Sequence, residues 1–233
     1  MTPPTRREFL NTTAAVSLLA TPGLATKVQA AEDKKVNTAF DYQHAPIPLP
    51  FDTKSLKGTS EKLIQSHWEN NYVGAVKALN LTRGRLAQAL NDANSPPYFF
   101  NGLKREQLIR TGSVVLHELY FGNLGGDGKA GADLRKKIAE TFGSFEAWES
   151  EFRKIGQGLG GGSGWVVLGY NQTLKILENY WMADHSTSAP RTTPILVMDM
   201  YEHAYQMDYG AATAKYIDAF FANINWEAAA QRL

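Results

Sequence analysis

The stretch VMDMYEHAYQMDYG (residues 197–210) places a carboxylate, Asp199, four residues ahead of an imidazole, His203, among tyrosines and methionines. An acid and an imidazole buried in such company cost several kcal/mol unless something pairs with both. A metal ion is one such partner. The stretch opens as the end of TTPILVMDMY (192–201), which is short and rich in β-branched and aromatic residues, like GWVVLGY (164–170) and TLKILENYW (173–181) before it. Turn residues separate the three, so they read as a three-stranded antiparallel sheet.

Upstream of the sheet, residues 132–159 spell two amphipathic helices split at Phe142-Gly143-Ser144, with Ser144 as an N-cap. Apolar residues recur at helical spacing from Thr53 to Ala93, with Thr82-Arg83-Gly84 as an expected break. Pro96-Pro97 marks a loop, and residues 104–121 are helical again and carry His117. The glycine-rich GNLGGDGKAG (122–131) is the expected boundary between halves, and the tail from Ala211 is helical. The predicted class is α+β: a helical hairpin domain at 49–122, then an α+β domain at 129–233 whose sheet is flanked by helices.

The 233 residues include 24 basic and 23 acidic side chains, for a net charge of +1. A nucleic-acid footprint needs a basic excess that this chain lacks. There is no cysteine, which excludes thiolate nucleophiles, disulfides and thiolate-ligated zinc or iron–sulfur sites. The first thirty residues carry Arg6-Arg7, then Phe9-Leu10, a short apolar run and a small-residue end at Val28-Gln29-Ala30. This pattern is that of a signal peptide, and the paired arginines resemble a twin-arginine signal in particular. The expectation is export by that machinery to the periplasm or beyond, with no membrane anchor and with residues 31–48 as a surface leader.

The glycines of GQGLGG (156–161) match a dinucleotide fingerprint, but a helix precedes them and a strand follows, the reverse of the working order. Among five histidines, His67, His117 and His203 lie in apolar contexts on three different predicted elements, and Asp199 makes a fourth candidate. Three imidazoles and a carboxylate suit iron, manganese, cobalt or zinc. From the residues alone, a metal site and three hydrogen-bonded core histidines both remain open.

TPILVMDMYEHAYQMDY (193–209), GGGSGWVVL (160–168) and FGSFEAWESEF (142–152) together resemble the iron/manganese superoxide dismutase family. The family hallmark D-x-W-E-H-A-Y stands here as Asp199 to Tyr205, and the likeness runs from about Leu49 to the C-terminus. The resemblance implies one manganese or iron ion per subunit, held by His67, His117, Asp199 and His203. It implies conversion of superoxide and protons to dioxygen and hydrogen peroxide. Where the family places a Gln that hydrogen-bonds the solvent ligand, one position holds Ser113, too short to reach, and the other holds His185. Trp165 matches the tryptophan that walls the pocket. Glu202 matches the glutamate that bridges to His203 of the partner subunit, implying a homodimer or a dimer of dimers.

The gateway departs from the family pattern. Asn71 and Gln206 stand where a histidine and a tyrosine usually pair across the dimer interface, and two amides can still pair. Ala75 replaces the gateway tyrosine, and Tyr72 is expected to fill some of that space from a different part of the helix. Phe121 and Tyr201 replace two pocket tryptophans. A homologue that keeps a structural ion and has lost dismutation is therefore the alternative reading.

Overall fold

The computed structural model describes residues 39–233, so the expected signal peptide and the first part of the leader lie outside the described residues. Ser60 caps the first helix, its hydroxyl accepting the Leu63 N–H at 3.1 Å. Helix α1 (Glu61–Ser66) passes into a wide π-helical turn at His67–Tyr72, and α2 (Val73–Asn91) continues from it. No break occurs at Thr82-Arg83-Gly84. The Thr82 hydroxyl bonds back to the Ala78 carbonyl at 2.8 Å, and the buried row Val76, Leu79 and Leu86 holds the helix straight through Gly84. Packing overrides the local weakness of glycine here.

Helix α3 (Pro97–Gly122) starts earlier than 104 because Pro97 sits at its first position, where a missing N–H costs nothing. The prolines that bar a helix interior thus begin one. Joined by a five-residue loop, α2 and α3 pack along each other as a helical hairpin.

Helices α4 (Ala132–Phe142) and α5 (Phe145–Gly158) follow, with the Ser144 hydroxyl accepting the Ala147 N–H at 2.9 Å as the N-cap expectation required. Strands β1 (Trp165–Asn171), β2 (Ile176–Met182) and β3 (Thr192–Asp199) form one antiparallel sheet in the order β2-β1-β3. Short helices α6 (Gln206–Tyr209), α7 (Thr213–Ala222) and α8 (Trp226–Ala230) complete the chain. The structure therefore has the α+β fold expected, with a three-stranded antiparallel sheet in its C-terminal half. The central strand β1 is buried at Trp165 to Leu168 without alternation, because both of its faces are covered. Its first residue, Trp165, is paired with Asp199 at the end of β3, which sets an aromatic wall beside the acid.

Trp148 of α5 anchors this half. It has no exposed surface, its ring lies 4.9 Å from Phe145 and 5.3 Å from Trp226, and its indole N–H donates to Asn179 of β2 at 2.9 Å. Truncating it opens a cavity and leaves the Asn179 amide oxygen without that donor. Trp148→Ala is expected to cost about 3–5 kcal/mol, measured by denaturant unfolding with all signals followed together.

Candidate metal centre

Four elements converge on one point. His67 opens the π-helical turn, His117 lies on α3, Asp199 ends β3, and His203 lies in a 3-10 turn at Glu202–Ala204. The chain reverses between the last two because Asp199 Oδ1 accepts the Tyr201 N–H at 2.8 Å, bending the backbone so that His203 returns over the acid. The other carboxylate oxygen, Oδ2, then lies 3.1 Å from His67 Nε2, 3.6 Å from His117 Nε2 and 3.2 Å from His203 Nε2. One ligand atom from each of the four residues falls within 4.8 Å of all the others.

The residues fit an ion. His67 Nδ1 and Nε2 and His117 Nε2 are buried nitrogens with no hydrogen-bond partner. His67 Nε2 is close to the carboxylate but out of line to donate to it. Leaving such atoms bare costs about 1–3 kcal/mol each, and a cation in the middle satisfies the two Nε2 atoms. Atoms bound to one ion at about 2.0–2.2 Å, with angles near 90–110°, lie about 2.8–3.6 Å apart; the observed separations from Oδ2 are 3.1, 3.2 and 3.6 Å. His117 Nδ1 donates to the Ser113 carbonyl at 2.7 Å, which fixes the tautomer and leaves Nε2 with its lone pair inward.

The electrostatics agree. Burial holds His67 below its ordinary value and lowers His117 to about 3, so both rings are neutral at neutral pH. Burial alone would raise Asp199, but His203 and His67 beside it outweigh burial and keep the acid ionised well below the usual carboxylate range. Its backbone is pinned as well, since the Tyr216 hydroxyl donates to the Asp199 carbonyl at 2.6 Å.

His185 comes from the loop after β2 and lies beside this group, its ring 5.9 Å from that of His117. The Trp165 indole N–H donates to His185 Nδ1 at 3.0 Å. An indole only donates, so the neutral His185 ring carries its own proton on Nε2. Tyr201 stacks between His185 at 4.6 Å and His203 at 5.2 Å, nearly parallel to both. Gly112 of α3 lets the loop come this close: a Cβ there would sit 1.7 Å from the His185 carbonyl oxygen. Sequence reading missed Gly112, though a lone glycine inside an apolar helix is itself a signal of close approach.

The Tyr72 ring lies 6.5 Å from that of His117. Its hydroxyl donates to Glu118 Oε1 at 2.7 Å and accepts the Ile47 N–H at 2.8 Å, so it is engaged with the leader. Ala75 is buried, Asn71 is half-buried, and Glu202 and Gln206 are exposed beside His203.

Residues 130–232 match the family model for the C-terminal domain of iron/manganese superoxide dismutases. The chain is 51% identical over 185 residues to an iron superoxide dismutase of Cupriavidus metallidurans, covering 79% of this chain and 93% of that one. It is 35% identical to an iron superoxide dismutase of Aquifex pyrophilus over 77% of this chain and 86% of the other. It is 32% identical to a manganese superoxide dismutase of Haloferax volcanii over 82% and 94% of the two chains.

Acid should unfold the metal-free protein early. His117 binds a proton near pH 6.5 when unfolded but only near 3 when folded, and His67 is shifted the same way. Between those values the unfolded state holds more protons, so stability falls as pH falls, by up to about 1.4 kcal/mol per pH unit per histidine. Chelated protein, unfolded with urea at a series of pH values from 7 to 4, is expected to show this slope.

Proposed function

Because the chain belongs to the iron/manganese superoxide dismutase family, we propose that its four-residue centre converts superoxide to dioxygen and hydrogen peroxide. One manganese or iron ion per subunit serves the site. The single observation that carries this reading is the convergence of three imidazole nitrogens, His67 Nε2, His117 Nε2 and His203 Nε2, on one ionised carboxylate oxygen.

His67, His117, Asp199 and His203 are the ligands in this reading. When bound, the ion supplies a one-electron couple that accepts an electron from one superoxide and returns it to a second. The fixed negative charge of Asp199 favours the more oxidised state, and the neutral imidazoles favour the more reduced one. His185 holds a proton on Nε2 next to the centre, where a donor is needed as peroxide forms, and Trp165 and Tyr201 keep that ring in place. Trp165, with no exposed surface, also excludes bulk water from one wall. Each turnover consumes protons, so a donor with a defined tautomer serves the reaction better than a mobile one.

The remaining assignments share this frame. Residues 49–122 and 129–233 are the two domains, each supplying two ligands. Glu202, Asn71 and Gln206 line the contact with a second subunit; the exposure of Glu202 and Gln206 beside His203 supports this. The enzyme works as a homodimer or dimer of dimers. Arg6-Arg7 and the apolar run after them support export through the twin-arginine machinery to the periplasm or the exterior. Among the described residues no helix is long and apolar enough to cross a membrane.

Superoxide dismutation normalised to manganese and iron measured on the same sample tests the reading. Fast turnover with near-stoichiometric metal is expected, and His117→Ala should lower both metal content and activity by at least about 100-fold. Full metal occupancy with negligible turnover would instead leave a structural ion behind a gateway altered at Asn71, Ala75 and Gln206.

A further inference from the structure

Residues 42–48 carry no regular secondary structure and yet are fastened along their length. Arg83 donates to the Tyr42 carbonyl at 3.3 Å and lies over its ring. The Asn80 amide binds both sides of His44: its Oδ1 accepts the His44 N–H and its Nδ2 donates to the His44 carbonyl, each at 2.9 Å. Tyr72 takes the Ile47 N–H, and the Trp68 indole donates to the Ile47 carbonyl at 3.1 Å. These four holding side chains come from one helical run and satisfy the main chain of a segment that has no strand or helix to satisfy it.

One contact in this group joins a leader imidazole to a carboxylate. His44 Nε2 meets Glu118 Oε1 at 2.6 Å, and the Tyr72 hydroxyl donates to the same oxygen at 2.7 Å. The Tyr42 hydroxyl lies 3.2 Å from His44 Nδ1, which suits a ring whose Nε2 donates to the carboxylate. Glu118 follows His117 directly. Tyr72 closes the wide turn that His67 opens. A single carboxylate oxygen therefore joins the strap, the turn carrying one ligand and the helical turn carrying another. His117 is locked to its own helix through the Ser113 carbonyl, so the rotation of that helix sets where Nε2 points. Glu118 sits one residue further round and is held from outside.

We propose that His44 is a positioning residue for the metal centre, acting through Glu118 and Tyr72 on the segments that carry His117 and His67. The inference rests on the assignment of those two histidines as ligands. Both members of the pair are about one-fifth exposed (20% and 21%), so the contact is shielded more than an ordinary surface pair. Groups hydrogen-bonded directly to a ligand typically change metal affinity about 10- to 100-fold when removed, and His44, which acts through the chain segments instead, falls at the low end of that range.

The test uses the full chain loaded with manganese or iron. Three variants, His44→Ala, His44→Gln and Asn80→Ala, are compared with wild type for the rate of ion loss to a chelator and for the visible absorption of the oxidised protein. His44→Ala and Asn80→Ala should each release the ion about 10-fold faster and shift the absorption band. His44→Gln, whose amide N–H still reaches toward Glu118, should restore both readouts most of the way. Wild-type ion loss and an unmoved band in His44→Ala would overturn the proposal. So would an equal fall in melting temperature for the loaded and metal-free forms with no change in ion loss, since the strap would then be a general brace. A wild-type chain that binds no ion would sink the ligand assignment itself, a failure distinct from a bound ion indifferent to His44.

Discussion

Asp199, an acid with no exposed side-chain surface, survives inside this protein because three imidazoles surround one of its oxygens and a backbone N–H takes the other. Everything nearby follows from keeping that charge tolerable. An isolated buried carboxylate would cost far more than the net stability of a domain of this size. The ends of β3, α3, the π-helical turn and the Glu202–Ala204 turn are therefore held to one another, and the sheet register that pairs Trp165 with Asp199 puts an aromatic wall beside the acid. The site is assembled from distant parts of the chain, so ion binding and folding are coupled by construction.

The environment around the four residues has two characters. Toward the sheet it is tightly specified: Trp165, His185, Tyr201 and His203 form a run of one hydrogen bond and two stacked pairs. Replacement of a pocket tryptophan by Tyr201 keeps a flat ring between the two imidazoles. Toward the helical hairpin the family pattern is looser, with Ala75 in place of a tyrosine and Tyr72 turned to Glu118. The leader occupies that side through Ile47 and its neighbours, where a hollow of about 200 Å³ is lined by Ile47, Pro48, Tyr72, Glu118 and Phe121.

Much of this was legible in the residues. The short β-branched runs announce the three strands, Ser144 announces a helix start, and His67, His117, His203 and Asp199 stand out as candidate ligands before the hallmark around Asp199 and His203 points to a family. What was not legible arose from tertiary packing. Thr82-Arg83-Gly84 is locally weak for a helix, and the Val76–Leu79–Leu86 row holds the helix together across it. Pro96-Pro97 marks a loop by sequence, yet Pro97 starts a helix, because its missing N–H falls where no bond is made. The stretch HWENNY gives no sign of a π-helical turn, since its polar and aromatic residues fit an ordinary helix equally well. The role of His44 depended on a contact 74 residues away, which spacing cannot convey.

That wide turn has a consequence for how the hairpin can vary. The Val73 N–H reaches back five residues to the Trp68 carbonyl, so His67–Tyr72 holds one residue more than an α-helical path would. Each residue turns an α-helix by about 100°, and the surplus sets the phase between what comes before and what comes after. Wound into a regular α-helix without that surplus turn, the same residues would let the two parts slip by about that angle. Leu63 and Ile64 would keep the core only if Val76, Leu79 and Leu86 swung away from it, taking Asn80 and Arg83 off the strap as they went. The bulge is thus a vernier between two stripes, letting the segment carry one residue more while both faces stay on the core.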